Sequence, residues 1–320
     1  MIPSVDLRAK RTPCHRVDNL GAALGFVPGA LWVKRDDLTG LAGGGNKARK
    51  LELLIAAALA AGADTVVTGG AGQSNHVRMT AAAAAMHDLA VVAVLAGAEP
   101  TRTEGNLVLD RLLGAELVFT GGGFDGDLDA AISAQADALH GAGRRPYAIP
   151  LGGSSALGAA GYVEAADEIA EQAPVGAVVY VAASTGGTHA GLAAGFGDHE
   201  RVRGVDVAGM PEIASRVAAL ADEAAKLAGR PALQGSPVIV AGQIGEGYGA
   251  PTEACRQAVT LAARTEGLVL DPVYSGKAMA GLIAARQEGA VAADQPVVFL
   301  HSGGLPALFA GPWPAWITGG

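Results

Sequence analysis

Aromatic side chains make up only 4% of this chain, charged ones 17%, and cysteine occurs twice. A charged fraction below the roughly 25% of average globular proteins, with half the residues hydrophobic, excludes a disordered or heavily solvated chain. With few bulky rings and much alanine, the core is expected to form by close approach of helices to sheets. Cys14 and Cys255 lie far apart and form no CxxC pair, so neither a disulfide framework nor a zinc site is expected, and no metal is assigned. There are six lysines (Lys10, Lys34, Lys47, Lys50, Lys226, Lys277), no basic run and a net charge of -8, which argues against a nucleic-acid partner. Apolar runs such as 53–61 fall short of the roughly 20 residues of a membrane span. The first residues lack the basic segment and apolar stretch of a signal peptide. These absences predict a cytoplasmic location and no membrane partner.

What is present is alternation. Short β-branched runs at 31–34, 65–68, 91–95, 116–119, 146–149, 177–181, 203–207 and 297–300 read as strands. Between them, 48–61, 74–87, 101–113, 155–172 and 211–227 are long enough for helices. Nearly continuous apolar strands separated by helices predict an α/β fold with parallel sheets covered on both faces. The 320 residues suffice for two domains or one large unit.

Three strand-to-helix junctions carry the chemistry. The first is Gly43-Gly44-Gly45-Asn46-Lys47-Ala48-Arg49-Lys50, where Lys47 stands at a helix start. A free lysine, with a pKa of about 10.4, is a poor nucleophile at neutral pH. Desolvation and the neighbouring Arg49 and Lys50 are expected to lower that value, which suits Schiff-base chemistry. In isolation the stretch reads rather as a capped helix with a solvated basic first turn, since short motifs often match by chance. The second is Gly72-Gln73-Ser74-Asn75-His76, whose side chains and helix N–H groups suit a carboxylate or phenolic oxygen. A plain N-cap by Ser74 accounts for one of those residues. The third, Ser184-Thr185-Gly186-Gly187-Thr188, places small and hydroxyl residues where backbone donors surround a phosphate. Tyr248 and Tyr274 sit in glycine-rich, turn-like segments, and Ser302 follows a buried-looking strand at a ligand position. The stretch 121–126 fits GxGxxG, but no acidic residue ends a strand about 20 residues on, so it reads as a loop.

In order along the chain, GGNKARKLE, GAGQSNHVR, GGSSALGAAGYV, STGGT, GYGAP, DPVYSGKAM and HSGGLPALF resemble the D-cysteine desulfhydrase / 1-aminocyclopropane-1-carboxylate deaminase family over about residues 32–306. That family belongs to fold type II of the pyridoxal-phosphate enzymes. The resemblance implies two open twisted, mostly parallel sheet domains of the tryptophan synthase beta type, with the cofactor pyridoxal 5'-phosphate between them. The large domain is expected at 1–52 and 158–320, the small inserted one at 53–157. It implies Lys47 as the Schiff-base lysine, Lys50 and the Ser184, Thr185, Gly186, Gly187, Thr188 loop as phosphate ligands, and Asn75 as partner of the cofactor's phenolic oxygen. Ser302 resembles the residue opposite the pyridine nitrogen. Gln73, Ser74, Asn75 and His76 resemble the substrate-carboxylate group, and Tyr248 and Tyr274 the tyrosines facing the substrate. A homodimer is also implied.

Ser275, Ser302 and His76 depart from the residues usual in the deaminase branch and point to the desulfhydrase branch. A neutral hydroxyl at the pyridine nitrogen withdraws electrons weakly, which favours loss of a good β-leaving group. The expected reaction is α,β-elimination on a small amino acid, first D-cysteine to pyruvate, ammonia and sulfide. Lys47 is the preferred base, with Ser74 or a tyrosine acting on the opposite face. L-cysteate sulfo-lyase, the cyclopropane deaminase and a cofactor-binding protein without turnover are the alternatives. Met79 and Ser155, unusual for the desulfhydrases, are expected near the substrate.

Overall fold

The computed structural model describes residues 2–9, 11–121 and 127–319. Lys10 and most of the GxGxxG-like loop lie outside the described residues.

The apolar runs become strands β1 Cys14–Arg16, β2 Leu31–Arg35, β3 Thr65–Ala71, β4 Ala90–Ala96, β5 Glu116–Phe119, β6 Pro146–Ala148, β7 Val178–Ala183, β8 Val202–Asp206, β9 Val238–Val240 and β10 Val297–His301. The helices are α1 Asp18–Ala23, α2 Lys47–Ala60, α3 Asn75–Ala85, α4 Asn106–Leu112, α5 Leu128–Gly141, α6 Ala156–Ala160, α7 Val163–Gln172, α8 Gly187–Phe196, α9 Ile213–Leu227, α10 Glu253–Glu266, α11 Ser275–Gln287 and α12 Trp313–Thr318. They form two sheets, a six-stranded one in the order β1-β2-β10-β7-β8-β9 and a four-stranded one in the order β5-β4-β3-β6. Every pairing is parallel except β1 with β2.

The inner strands of each sheet are buried because they are apolar on both sides, whereas the edge strands β1, β5 and β9 are not. In β10, Val297 and Phe299 join a core with residues of α1, α10 and α11, while Val298 and Leu300 join one with residues of α6, α7, α8 and α9. Alternate side chains thus feed opposite layers, as the period of two requires. Small residues set the layer spacing. A Cβ added at Gly191 of α8 would lie 2.0 Å from the Ala159 carbonyl oxygen, so glycine is what lets α8 and α6 touch. Cys255 is buried in the α10 layer and Cys14 is half-buried on the edge strand; both are free thiols. No helix among the described residues is long and apolar enough to cross a membrane.

The chain enters the four-stranded sheet through α2, which runs unbroken across the expected domain boundary at 52–53. The expected helix 155–172 is two helices, and the expected helix 101–113 begins only at Asn106. The carboxyl ends of β3, β7 and β10 converge on one cleft, where their loops carry the motif residues.

Candidate active site

The cleft encloses a cavity of about 300 Å³, within the size range of small-molecule sites. It is walled by the starts of α2, α3 and α8, and Tyr248, Tyr274 and Ser302 line it too. Two lysines line it and, among the described residues, no aspartate or glutamate does.

Lys47 opens α2 and reaches back across the cleft, its Nζ donating to the Gly152 carbonyl at 3.1 Å. Lys50, one turn on and fully buried, donates to the same carbonyl at 3.2 Å and to Ser154 Oγ at 3.0 Å. Burial pushes the Lys47 amine down to about 8. It also pushes Lys50 well below the ordinary lysine value, helped by the charges of Lys47 and Arg216. The basic first turn is therefore enclosed rather than solvated. Arg49 contributes nothing to the cavity, contrary to the expectation from its place beside Lys47. It points the other way, donating twice to Asp36 and twice to Glu168 at 2.8–2.9 Å.

On α3, Ser74 is the N-cap, its Oγ accepting from Val77 N–H at 3.3 Å, and it also lines the cavity. Asn75 and His76 line it too. His76 sits 3.0 Å from Thr68 Oγ1 and is held neutral by burial and by the Lys47 and Lys50 charges. Gln73 is turned away from the cavity, its amide tied to Asn106 N–H at 2.8 Å and the Glu104 carbonyl at 3.0 Å. It lines an adjoining apolar cavity that shares Ala71 and Tyr248 with the first.

Ser184, Thr185, Gly186, Gly187 and Thr188 all line the cavity, at the N-terminus of α8. A Cβ at Gly187 would come within 2.7 Å of both Lys50 Nζ and Ser154 Oγ, so only glycine leaves this pocket open. Thr185 Oγ1 bonds Ser154 Oγ at 2.6 Å, and Asn46 Nδ2 donates to Thr188 Oγ1 at 3.0 Å. The hydroxyls of Tyr248 and Tyr274 are hydrogen-bonded to each other, and burial raises the pKa of both. Ser302 lines the cavity, and its carbonyl accepts from Asn46 N–H at 2.9 Å.

Three further positions lie outside the cavity. Ser275 is fully buried outside the cavity, its Oγ donating to Asp271 Oδ1 at 2.6 Å, because it sits in the first turn of α11. Met79 is likewise fully buried, packed behind Gly45 in the α2–α3 core. Ser155 caps α6, accepting from Gly158 N–H at 3.2 Å. None of the three lines the cavity. Conversely, sequence reasoning gave no role to Asn46, Gly152, Ser154 or Arg216. Gly152 and Ser154 do fall in the quoted GGSSALGAAGYV motif. Arg216, on α9, donates to the Thr185 carbonyl at 3.0 Å, and nothing local in its sequence signals this.

A buried lysine and a half-buried one, without a carboxylate, facing a glycine cradle at a helix N-terminus, make an anion site with a reactive amine beside it. Comparison with known proteins gives that class a family. Residues 5–303 match the model of the pyridoxal-phosphate dependent enzymes, and the chain belongs to that family. It is 44% identical over 323 residues to the D-cysteine desulfhydrases of Salmonella newport (strain SL254) and Salmonella heidelberg (strain SL476), covering 96% of each chain. A crystal structure of an ACC deaminase homologue superposes with a TM-score of 0.88 at 36% identity, covering 99% of this chain and 96% of that one. Threonine deaminase isoform 2 from Solanum lycopersicum shares the fold at 17% identity, with a TM-score of 0.67, covering 93% of this chain and 85% of that one. The protein is thus a fold type II pyridoxal-phosphate enzyme, closely related to the D-cysteine desulfhydrase and ACC deaminase branch.

The residues fit that cofactor. Lys50, Ser154 and the 184–188 loop would hold its phosphate, and Lys47 would supply the amine that links it. Lys50→Met is expected to weaken cofactor retention by about tenfold to a hundredfold, the worth of one charge-assisted hydrogen bond of ~1.5–3 kcal/mol. Titrating apoprotein with pyridoxal phosphate by visible absorbance measures it; unchanged affinity would remove Lys50 from the phosphate site.

Proposed function

We propose that the protein is a lyase that removes the β-substituent of a small amino acid, with D-cysteine the first substrate. D-cysteine and water would yield pyruvate, ammonia and hydrogen sulfide. The reading is carried by the composition of the cavity wall, where Ser302 stands and no described residue is acidic. Without a carboxylate to hold a proton on the pyridine nitrogen, the electron sink is weak, and a good leaving group is favoured over ring opening. The 44% identity to D-cysteine desulfhydrases supports the same choice.

When bound, pyridoxal phosphate supplies the electron sink that makes the α-hydrogen of an amino acid acidic. The chain's own groups do the rest. Lys47, its amine depressed to about 8 by burial, accepts the α-proton near neutral pH. The α3 first-turn N–H groups that Ser74 leaves uncapped, with its hydroxyl, bind the substrate carboxylate. Tyr248 and Tyr274 keep their protons at neutral pH and can donate one to the departing group. In this reading the protein works as a homodimer, and residues 53–157 form the smaller domain.

The lysine-lined cavity would also suit a sulfonate, so L-cysteate is the second reading. Sulfide and pyruvate from D-cysteine, sulfide from L-cysteine, sulfite from L-cysteate and 2-oxobutyrate from 1-aminocyclopropane-1-carboxylate separate the cases. D-cysteine is expected to give kcat/KM at least about tenfold above the others, or ~1.4 kcal/mol in the transition state. A dominant 2-oxobutyrate signal would replace elimination with ring opening, and no product from any of them would favour a binding protein.

A further inference from the structure

Beneath the cavity lies a set of polar side chains that none of the steps above uses. Arg78, on α3, is fully buried. It donates from Nη1 to Asn75 Oδ1 at 3.2 Å and Asn106 Oδ1 at 2.8 Å, and from Nη2 to the Gly44 carbonyl at 2.8 Å. Asn106, the first residue of α4 and also fully buried, donates from Nδ2 to Asn75 Oδ1 at 3.0 Å and to the Gln73 carbonyl at 2.8 Å.

A guanidinium donates and never accepts. Whatever amide atom faces Arg78 is therefore oxygen, which settles the orientation of both asparagines. Asn106 turns its Oδ1 to Arg78 and its Nδ2 to Asn75; Asn75 turns its Oδ1 inward, where it accepts twice. Asn75 Nδ2 then has no partner among the described residues, while Asn75 lines the cavity. We infer that Arg78 is a positioning residue: with Asn106 it holds the Asn75 amide donor-side to the cavity, so that an oxygen anion bound there meets an N–H. The bond to Gly44 ties the same guanidinium to the loop before Lys47, so one side chain sets both walls. This inference rests on Asn75 being the partner of the cofactor's phenolic oxygen.

A fixed donor stabilises the charged form of an oxygen and lowers the pH at which it gives up its proton. The other titratable groups around that position are Lys47 and Lys50, the neutral His76, and Tyr248 and Tyr274. Asp110 of α4 interacts with Arg78 from behind, its carboxyl pushed up to about 7 by burial.

Asn106→Asp tests the inference. The change is nearly isosteric and still offers an oxygen to Arg78, but it presents a second oxygen to Asn75, whose amide must turn over. The readout is the pH midpoint of the visible absorbance change of the holoenzyme, which needs no substrate. The midpoint is expected to rise by about one pH unit or more, a tenfold change in proton affinity. In an Asn75→Ala background the same substitution is expected to add nothing. Arg78→Lys, which keeps the charge but cannot serve both amides, is expected to move the midpoint the same way and serves if Asn106→Asp does not fold. A shift under about 0.2 unit in the folded variants, or an equal shift without Asn75, would overturn the inference. A full shift in a protein that turns over none of the four substrates would overturn the proposed function alone.

Discussion

Lys47→Ala is expected to lower turnover by about 10⁴-fold or more while leaving the melting temperature within the parent's range. A positioned acid–base group alone is worth about 10²–10⁴ in rate, and in the proposed mechanism Lys47 would also provide the covalent attachment. Its amine donates to the Gly152 carbonyl and, among the described residues, forms no ion pair, so little folding energy goes with it. Lys47→Arg should be equally inactive, since it retains charge but neither links the cofactor nor gives up a proton. Borohydride reduction followed by peptide mapping should place the cofactor on Lys47 in the parent and nowhere in either variant. Because burial depresses the amine to about 8, attachment of pyridoxal phosphate to apoprotein should speed up with pH and level off above about 8. An exposed lysine would keep accelerating to about 10.4. Retention of more than about 1% activity in Lys47→Ala would give the proton transfer to another group.

Arg49→Leu should cost more stability than any change inside the cavity. Arg49, Asp36 and Glu168 are all buried, and Thr12, Lys34 and Tyr162 complete their hydrogen bonds. Removing the guanidinium leaves the buried Asp36 carboxylate without its cation, while Glu168 keeps Lys34 and Arg8, a loss of about 3–5 kcal/mol by urea denaturation at pH 7. Arg11, which pairs with Glu171 on the surface, should be replaceable by alanine with no measurable change. Burial alone would raise the Asp36 pKa, but the Arg49 charge and hydrogen bonds outweigh it and hold the carboxyl near 2. A depressed acid stabilises the fold above its unfolded value and loses that contribution as pH falls, here between about 4 and 2. Without Arg49 only the Tyr162 and Thr12 hydrogen bonds still oppose burial, and the Asp36 pKa rises. The penalty of Arg49→Leu should therefore shrink on acidification from pH 7 to pH 4. An equal penalty at both would assign it to packing instead.

The strands were legible because a parallel sheet covered on both faces needs unbroken apolar runs, and 91–95 and 297–300 are such runs. The edges were not. β9 is three half-buried residues, and β1 carries a histidine and an arginine toward solvent. The single helix expected at 155–172 breaks at Gly161 because α2 crosses there. A Cβ at that glycine would lie 2.2 Å from the Arg49 carbonyl oxygen, and the next residue, Tyr162, reaches Asp36. Helical periodicity contains neither fact. The same limit applies at the site. Clustered glycine, hydroxyl and amide residues at strand ends marked the loops that meet in the cavity. Which way Gln73 or Arg49 points, and that Arg78, Asn106 and Arg216 brace those loops, depends on partners far off in the chain.

The two free thiols bear on the company this enzyme keeps. Burial raises the pKa of Cys255 to about 12 and of Cys14 to about 11, the latter against the pull of Lys34. At neutral pH that leaves about one in 10⁴ of Cys14 and about one in 10⁵ of Cys255 as thiolate, the form that is oxidised or capped with sulfur. Under the proposed activity, released sulfide that dioxygen oxidises to polysulfides would form persulfides on reactive cysteines. This fold offers them almost nothing to react with, and so should outlast a product that inactivates thiol-dependent proteins.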